Sequence, residues 1–131
     1  MAGFTDYLED KVLDHVFGGT SYTAPGTLYV GLFTAAPSDT GGGTEVSGGS
    51  YARKSMPAMT VTGTSPTTAT NGAAVEFVTA TGSWGTVTHT GIFDASSGGN
   101  LLCWAALSAS KVVASGDVIR FDAGDLDVTL A

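Results

Sequence analysis

The sequence predicts a mainly β protein: an antiparallel β-sandwich or barrel of about eight strands, with one N-terminal α-helix. Three observations carry this reading. Short apolar or alternating segments recur along the chain, separated by turns rich in Gly, Pro, Asn and Asp, as in antiparallel all-β domains. Only the stretch Phe4 to Phe17 has a helical period. A hairpin pattern from Trp84 to Leu107 is the densest apolar patch, and the other strands are expected to pack against it. With 131 residues, 43% of them apolar, the chain reads as one domain, 1–131, with a single core. The helix should span about 5–17 and the β-core about 27–131, as the periodicity places them.

In the helix, Phe4, Leu8, Val12 and Val16 recur every four residues, and Tyr7, Leu13 and Phe17 widen the stripe. Asp6, Glu9, Asp10 and Asp14 mark the polar side. Thr5 or Asp6 can cap the start, with Glu9 three residues beyond Asp6 in a near capping box. Acidic residues near the start and His15 near the end suit the helix dipole, and Gly18-Gly19 stops the helix. The helix can either cover an open end of the β-core or dock on another subunit.

Leu28 to Thr34 reads as a central strand, apolar on both faces, followed by a turn at Ala36-Pro37-Ser38-Asp39. Thr40 to Ser50, with its glycine clusters, is expected to be a loop that is mobile or ordered by a partner. Tyr51 to Met56 starts a strand that Ala58 to Thr62 can continue past Pro57. Thr64 to Gly72 reads as a second polar loop, closed by Asn71-Gly72. Ala73 to Thr79 is a strand with Val75 and Phe77 on one face. Lys111 to Val113, Val118 to Phe121 and the alternating Leu126, Val128 and Leu130 complete the set.

Within the hairpin, the first arm is expected over about Thr86 to Asp94 and the second over Leu101 to Leu107, joined by a turn from Ala95 to Asn100. Two-residue alternation puts Thr86, Thr88 and Thr90 on one face and Val87 and His89 on the other. Gly91 breaks that alternation, which predicts a bulge or a close backbone approach. The second arm is apolar on both faces and is therefore expected in the interior of the sheet.

Charge narrows the function. Charged residues make up 13% of the chain, and five Lys or Arg stand against twelve Asp or Glu, a formal net charge of −7. Lys11, Arg53, Lys54, Lys111 and Arg120 are too few and too scattered to neutralise a nucleic-acid backbone, so no direct nucleic-acid partner is expected. The longest apolar run, Leu101 to Leu107, is far short of the roughly 20 residues of a membrane span. No charged-then-apolar leader opens the chain, so export by a signal peptide is not expected. The single cysteine, Cys103, lies in an apolar strand pattern and reads as a small buried hydrophobe.

Chemistry is hard to place on these residues. There is no G-x-S-x-G elbow, and Gly41-Gly42-Gly43-Thr44 lacks the lysine of a phosphate loop. His89 can be a base or a single metal ligand, but alone in a strand it reads as hydrogen-bonded structure. Asp122, Asp125 and Asp127 do not match a calcium loop, and turn positions account for them equally well. Glu45 and Glu76 are the only glutamates beyond the helix. No catalytic residue, metal site or cofactor is expected.

Several stretches together resemble a family of small tailed-bacteriophage structural proteins often labelled tail fibre proteins. They are Phe4 to His15, Tyr29 to Thr34, Gly49-Ser50-Tyr51-Ala52-Arg53, Trp84 to His89, Ile92 to Ala95, Gly98 to Leu101, then Gly116-Asp117 and Phe121. The resemblance spans almost the whole chain and implies a virion component without catalytic residues. A fibre shaft needs heptads or a repeating β-unit, and neither is present. The expectation is therefore a capsid decoration (cement) protein that binds the major capsid protein and copies of itself. Phage decoration proteins often form trimers around lattice three-folds, which admits a homotrimer here, although no residue demonstrates one. Many weak contacts over a lattice would supply the avidity. The expected contact residues are Phe4, Leu8 and Val12 on the helix, Glu45 and Val46 in the first loop, and Thr67 and Thr68 in the second. The alternative is a receptor- or glycan-binding module at a tail or fibre tip, with Tyr22, Tyr51, Trp84 and Trp104 as candidates for stacking on a sugar. Of these, Trp104 reads as the one most suited to the core.

Overall fold

The computed structural model describes residues 3–130, a mainly β, sandwich-like arrangement of antiparallel sheets without a closed barrel. Among the described residues there is one helix, α1 (Asp6–Val16), and ten strands. These are β1 (Tyr29–Ala35), β2 (Thr44–Glu45), β3 (Lys54–Ser55), β4 (Met59–Thr62), β5 (Thr67–Asn71), β6 (Val75–Glu76), β7 (Gly85–Phe93), β8 (Leu101–Val113), β9 (Arg120–Phe121) and β10 (Asp127–Leu130). The principal sheet runs β2-β1-β7-β8, with β3 also paired to β1. Opposite it lie a three-stranded sheet, β10-β5-β4, and the short pair β6-β9.

The core fills the space between these layers. Val30, Leu32, Val87, Ile92 and Cys103 from the principal sheet pack with Val75, Phe77, Ile119 and Leu126 from the other layer. Trp84, Tyr51, Phe77 and Phe121 form its aromatic part, with Tyr51 and Trp84 edge-to-face at 5.3 Å between ring centroids. Asn71 joins the small sheets from a fully buried position. Its amide donates to the carbonyls of Ala73 and Asp122 and accepts from the N–H groups of Gly124 and Leu126, so every polar atom of the side chain is used.

The hairpin is present, with its roles exchanged. β7 is the interior strand, between β1 and β8, whereas β8 pairs with β7 alone. The apolar start of β8 is buried by the N-terminal segment. Phe4 bridges to Cys103, and Thr5 donates its N–H to Leu102 O at 2.8 Å and its hydroxyl to Leu101 O at 2.6 Å. A strand that is apolar on both faces can thus be covered by a chain end instead of a neighbouring strand. β8 also continues into Lys111–Val113, which the sequence suggested as a separate strand.

The alternation along β7 is broken at a register shift between Val87 and His89. Val87 and Thr90 are both buried, while His89 is opposite Phe33 on the outer face, not on the face of Val87. Gly91 marks a close approach: a Cβ there would lie 2.6 Å from Leu101 Cδ1 and 3.2 Å from Cys103 O.

Both glycine- and threonine-rich segments differ from expectation. Thr67 to Asn71 is not a loop but β5, the middle strand of its sheet, because threonine suits an extended backbone paired on both sides. Thr40 to Ser50 is tied down by the chain itself: β2 pairs with β1, Val46 donates its N–H to Leu32 O, and Trp84 Nε1 donates to Gly49 O at 2.9 Å.

Candidate interaction surface

α1 starts where Thr5 turns the chain outward from β8. Thr5 holds the N-cap position in extended conformation, but its hydroxyl is committed to β8 and caps nothing. The N–H of Asp6 goes to Asp39 O, so the helix start is fastened to the turn after β1 as well as to the edge of β8. The helix ends where Gly18 donates to the Leu13 and Asp14 carbonyls and Gly19 adopts a φ of +75°. Beyond it, Tyr22 folds back and donates its N–H to His15 Nδ1. The Tyr22 phenol is pushed up from its ordinary pKa, first by burial and then by Tyr7 and Asp94.

No residue of α1 is buried. Phe4, Leu8 and Val12 are half-buried on the flank that meets the body, and Lys11 lies over the Tyr7 ring. Leu13, Val16 and Phe17 stand out in solvent at 58%, 60% and 81% exposure. Their i, i+3, i+4 spacing makes one continuous apolar patch at the end of the helix. Val61, Val78, Val112, Val118 and Leu130 are also exposed, but they are dispersed over separate strands and turns.

The outer face of the principal sheet carries a second, smaller apolar cluster of Phe33, Phe93 and Leu101, flanked by Tyr29 and Trp104. Arg53 spans it. Its guanidinium lies 3.5 Å from the centroid of the Phe93 ring and forms a two-pronged pair with Glu45, Nε to Oε2 and Nη2 to Oε1, both at 2.8 Å. Nη1 donates to the carbonyls of Ala95 and Gly98 in the hairpin turn. Tyr51 completes the lock, donating to Glu45 Oε2 at 2.7 Å and accepting from the N–H of Leu32. Burial and the Glu45 carboxylate raise the pKa of the Tyr51 phenol, which holds its proton in that bond. Gly31 makes room for the lock: a Cβ there would meet Phe93 at 2.6 Å and Glu45 at 3.0 Å. The sequence signal for this arrangement was Tyr51-Ala52-Arg53, whose i, i+2 spacing puts phenol and guanidinium on one side of an extended chain.

The residues expected to make contacts are not in one place. Phe4, Leu8 and Val12 share the inward flank of the helix. Glu45 is held by Arg53 and Tyr51, and Val46 is in the core at 5% exposure and offers no surface. Thr67 and Thr68 belong to β5 in the opposite layer, Thr67 exposed and Thr68 half-buried. Glu45 and the Thr67-Thr68 pair therefore sit on different sheets.

The aromatic candidates separate too. Trp84, 3% exposed, and Tyr51 belong to the core aromatic group, so neither presents a face to a sugar. Trp104 is the half-exposed tryptophan. Its indole N–H points to Asp39 at 3.3 Å, and its ring lies 5.8 Å from that of His89. His89 Nδ1 shares a 2.8 Å hydrogen bond with the Thr88 hydroxyl. Cys103 is buried, and burial pushes its thiol up to about 12, so it stays protonated and weakly nucleophilic. Asp122 and Asp125 serve the turn they occupy, the first accepting from Arg120 Nε and the second from the N–H of Asp122. Among the described residues, no three His, Cys, Asp or Glu side chains converge as a metal site would require, and no helix is long and apolar enough to cross a membrane. A shallow groove of about 590 Å³ runs between β8 and residues 119–127, with Lys111, Arg120, Asp125 and Asp127 on its walls and Phe121 and Leu107 between them.

Comparison with known families finds a match over residues 3–129, almost the whole chain, to the family described as Podophage GP4 fiber I protein gp80. No curated protein matches.

Proposed function

The chain belongs to the podophage GP4 fiber I protein gp80 family, one of phage virion structural proteins, and from that premise we propose that it is a non-catalytic adhesion component of the phage fibre. The single observation that carries the reading is the family match over residues 3–129. The structure supports it in two ways. Arg53, its side chain only 8% exposed, is spent on the fold in the lock with Glu45 and Tyr51, and a continuous apolar patch, Leu13, Val16 and Phe17, stands in solvent at the end of the helix. Both features suit a protein that works by attachment and performs no reaction of its own.

Capsid decoration, the placement expected from acidity and small size, is the rival within the virion. It draws on the want of a shaft: the ten strands of the described residues lie in layers with no repeating β-unit to build fibre length. A compact domain borne at the base or tip of a fibre meets that objection, and the family description favours the fibre. A tip position would also admit host-surface glycans as partners. Antibody labelling of purified particles, read by electron microscopy alongside the copy number per particle, tests the reading. Label confined to the tail and its fibres at low copy number is expected. Label spread over the shell would establish decoration, and absence from particles would refute a virion role.

A further inference from the structure

Positions 6, 9, 10, 13, 16 and 17 of α1 and its cap follow one another at spacings of three and four, so they line a single stripe. The stripe has two chemistries. Its first half is Asp6, Glu9 and Asp10, and its second half is the exposed patch Leu13, Val16 and Phe17. It lies around the helix from Leu8 and Val12, which face the body, so the fold leaves it wholly outward.

We propose that this stripe is the element by which the chain docks on a different virion subunit, one that offers an apolar pocket for Phe17 and basic side chains opposite Asp6, Glu9 and Asp10. The inference rests on the virion-attachment reading above and adds the docking element and the chemistry of its partner. Charge decides against a second copy. Two such helices packed antiparallel would press the carboxylates of one onto the apolar patch of the other, which desolvates charge without a partner. Packed parallel, they would set acid against acid. Docking onto another part of a second copy meets the same obstacle, since only five Lys and Arg oppose twelve acids. Of those five, Arg53 is held by Glu45, and Arg120 is engaged by Asp122 and Glu76. The groove between β8 and residues 119–127 has Lys111 and Arg120 on its walls, but Asp125 and Asp127 stand beside them, so its rim carries no net positive charge, and a basic-rimmed pocket is the property of another chain. An apolar anchor ringed by charge gives both parts of a docking contact, the desolvated centre and the steering rim.

The test uses the full chain and particles assembled without it, with binding of the purified protein measured by sedimentation. Phe17→Asp is expected to weaken binding at least about tenfold, and Glu9→Lys with Asp10→Lys to weaken it and reduce its salt dependence. Phe17 is 81% exposed and Glu9 and Asp10 are exposed as well, so neither variant removes core packing; each sets charge against the helix dipole and is expected to melt within a few degrees of wild type. Equal binding by Phe17→Asp would overturn the proposal, and so would unchanged binding by the charge-reversed variant. Conversion of a wild-type oligomer to monomer by Phe17→Asp, seen by light scattering, would overturn it in favour of a second copy. Failure of the wild-type chain to bind particles would remove the virion-attachment reading itself, a result distinct from equal binding of wild type and variant.

Discussion

Arg53 shows how one side chain can secure several segments that are distant in sequence. It links Glu45 of β2, the Phe93 ring at the end of β7, and the Ala95 and Gly98 carbonyls of the hairpin turn, with its side chain only 8% exposed. Removing it leaves the Glu45 carboxylate, a quarter exposed, with the Tyr51 hydroxyl as its remaining side-chain partner. Arg53→Ala is therefore expected to destabilise the fold by about 3 kcal/mol, the scale of breaking a largely buried ion pair. Glu45→Gln in the same background should recover part of the loss, because the stranded charge goes with it; urea unfolding of both variants provides the measurement. Lysine is no substitute at this position, since it cannot form the two-pronged pair or stack its plane on Phe93. The sequence displayed Arg53 as one of a few scattered cations. Its spacing from Tyr51 was legible, but Glu45 and Phe93, 8 and 40 residues away, were not.

At the scale of elements, periodicity located the helix and the cores of the strands, and pairing then trimmed them. The strand expected over Ala73 to Thr79 is regular only as Val75–Glu76, paired with Arg120–Phe121; beyond it the two segments are joined by single bonds, Phe77 N–H to Ile119 O and Ala80 N–H to Asp117 O. Thr67 to Asn71 became a strand because β4 and β10 were available on either side. Polarity alone cannot separate an exposed threonine strand from a loop. α1 is legible at nearly full length, yet its apolar stripe did not tell which part was covered. Its start is fastened by backbone and hydroxyl bonds of Thr5 and Asp6, its second half has the Tyr22 N–H bond to His15 and the half-buried Val12 to hold it, and none of its residues is buried. Local opening should be correspondingly easy. Amide exchange in the second half of α1 is expected to be at least roughly a hundredfold faster than in β7, which is paired on both sides. Hydrogen exchange read by mass spectrometry checks this, and equal protection would mean that the helix is integral to the core.

For the whole molecule, one principal core crosses both layers, drawing Val30 and Leu32 from β1, Val75 from β6 and Leu126 from the segment before β10. Residues so far apart in sequence cannot be withdrawn separately, so unfolding is expected to be a single transition, the behaviour a single domain would show. Calorimetry should give one peak with equal calorimetric and van't Hoff enthalpies, near 90 kcal/mol, or about 0.7 kcal/mol per residue. A second peak would mark an independently folding part. The net charge of −7 acts at this scale as well, as a long-range repulsion between copies and an attraction toward cationic surfaces.

By itself, the sequence determined the class, the helix, the hairpin, the burial of Cys103 and the kinship with phage structural proteins, because each is written in local period, composition or an ordered set of short motifs. Tertiary structure decided what depends on neighbours far along the chain. It placed β8 at the sheet edge under residues 4 and 5, turned His89 outward at the register shift, put Trp84 inside with Trp104 half-exposed, and left Phe17 in solvent. An apolar residue states that it will leave water if something covers it. Which segment does the covering is a property of the assembled layers, and no single stretch of sequence contains it.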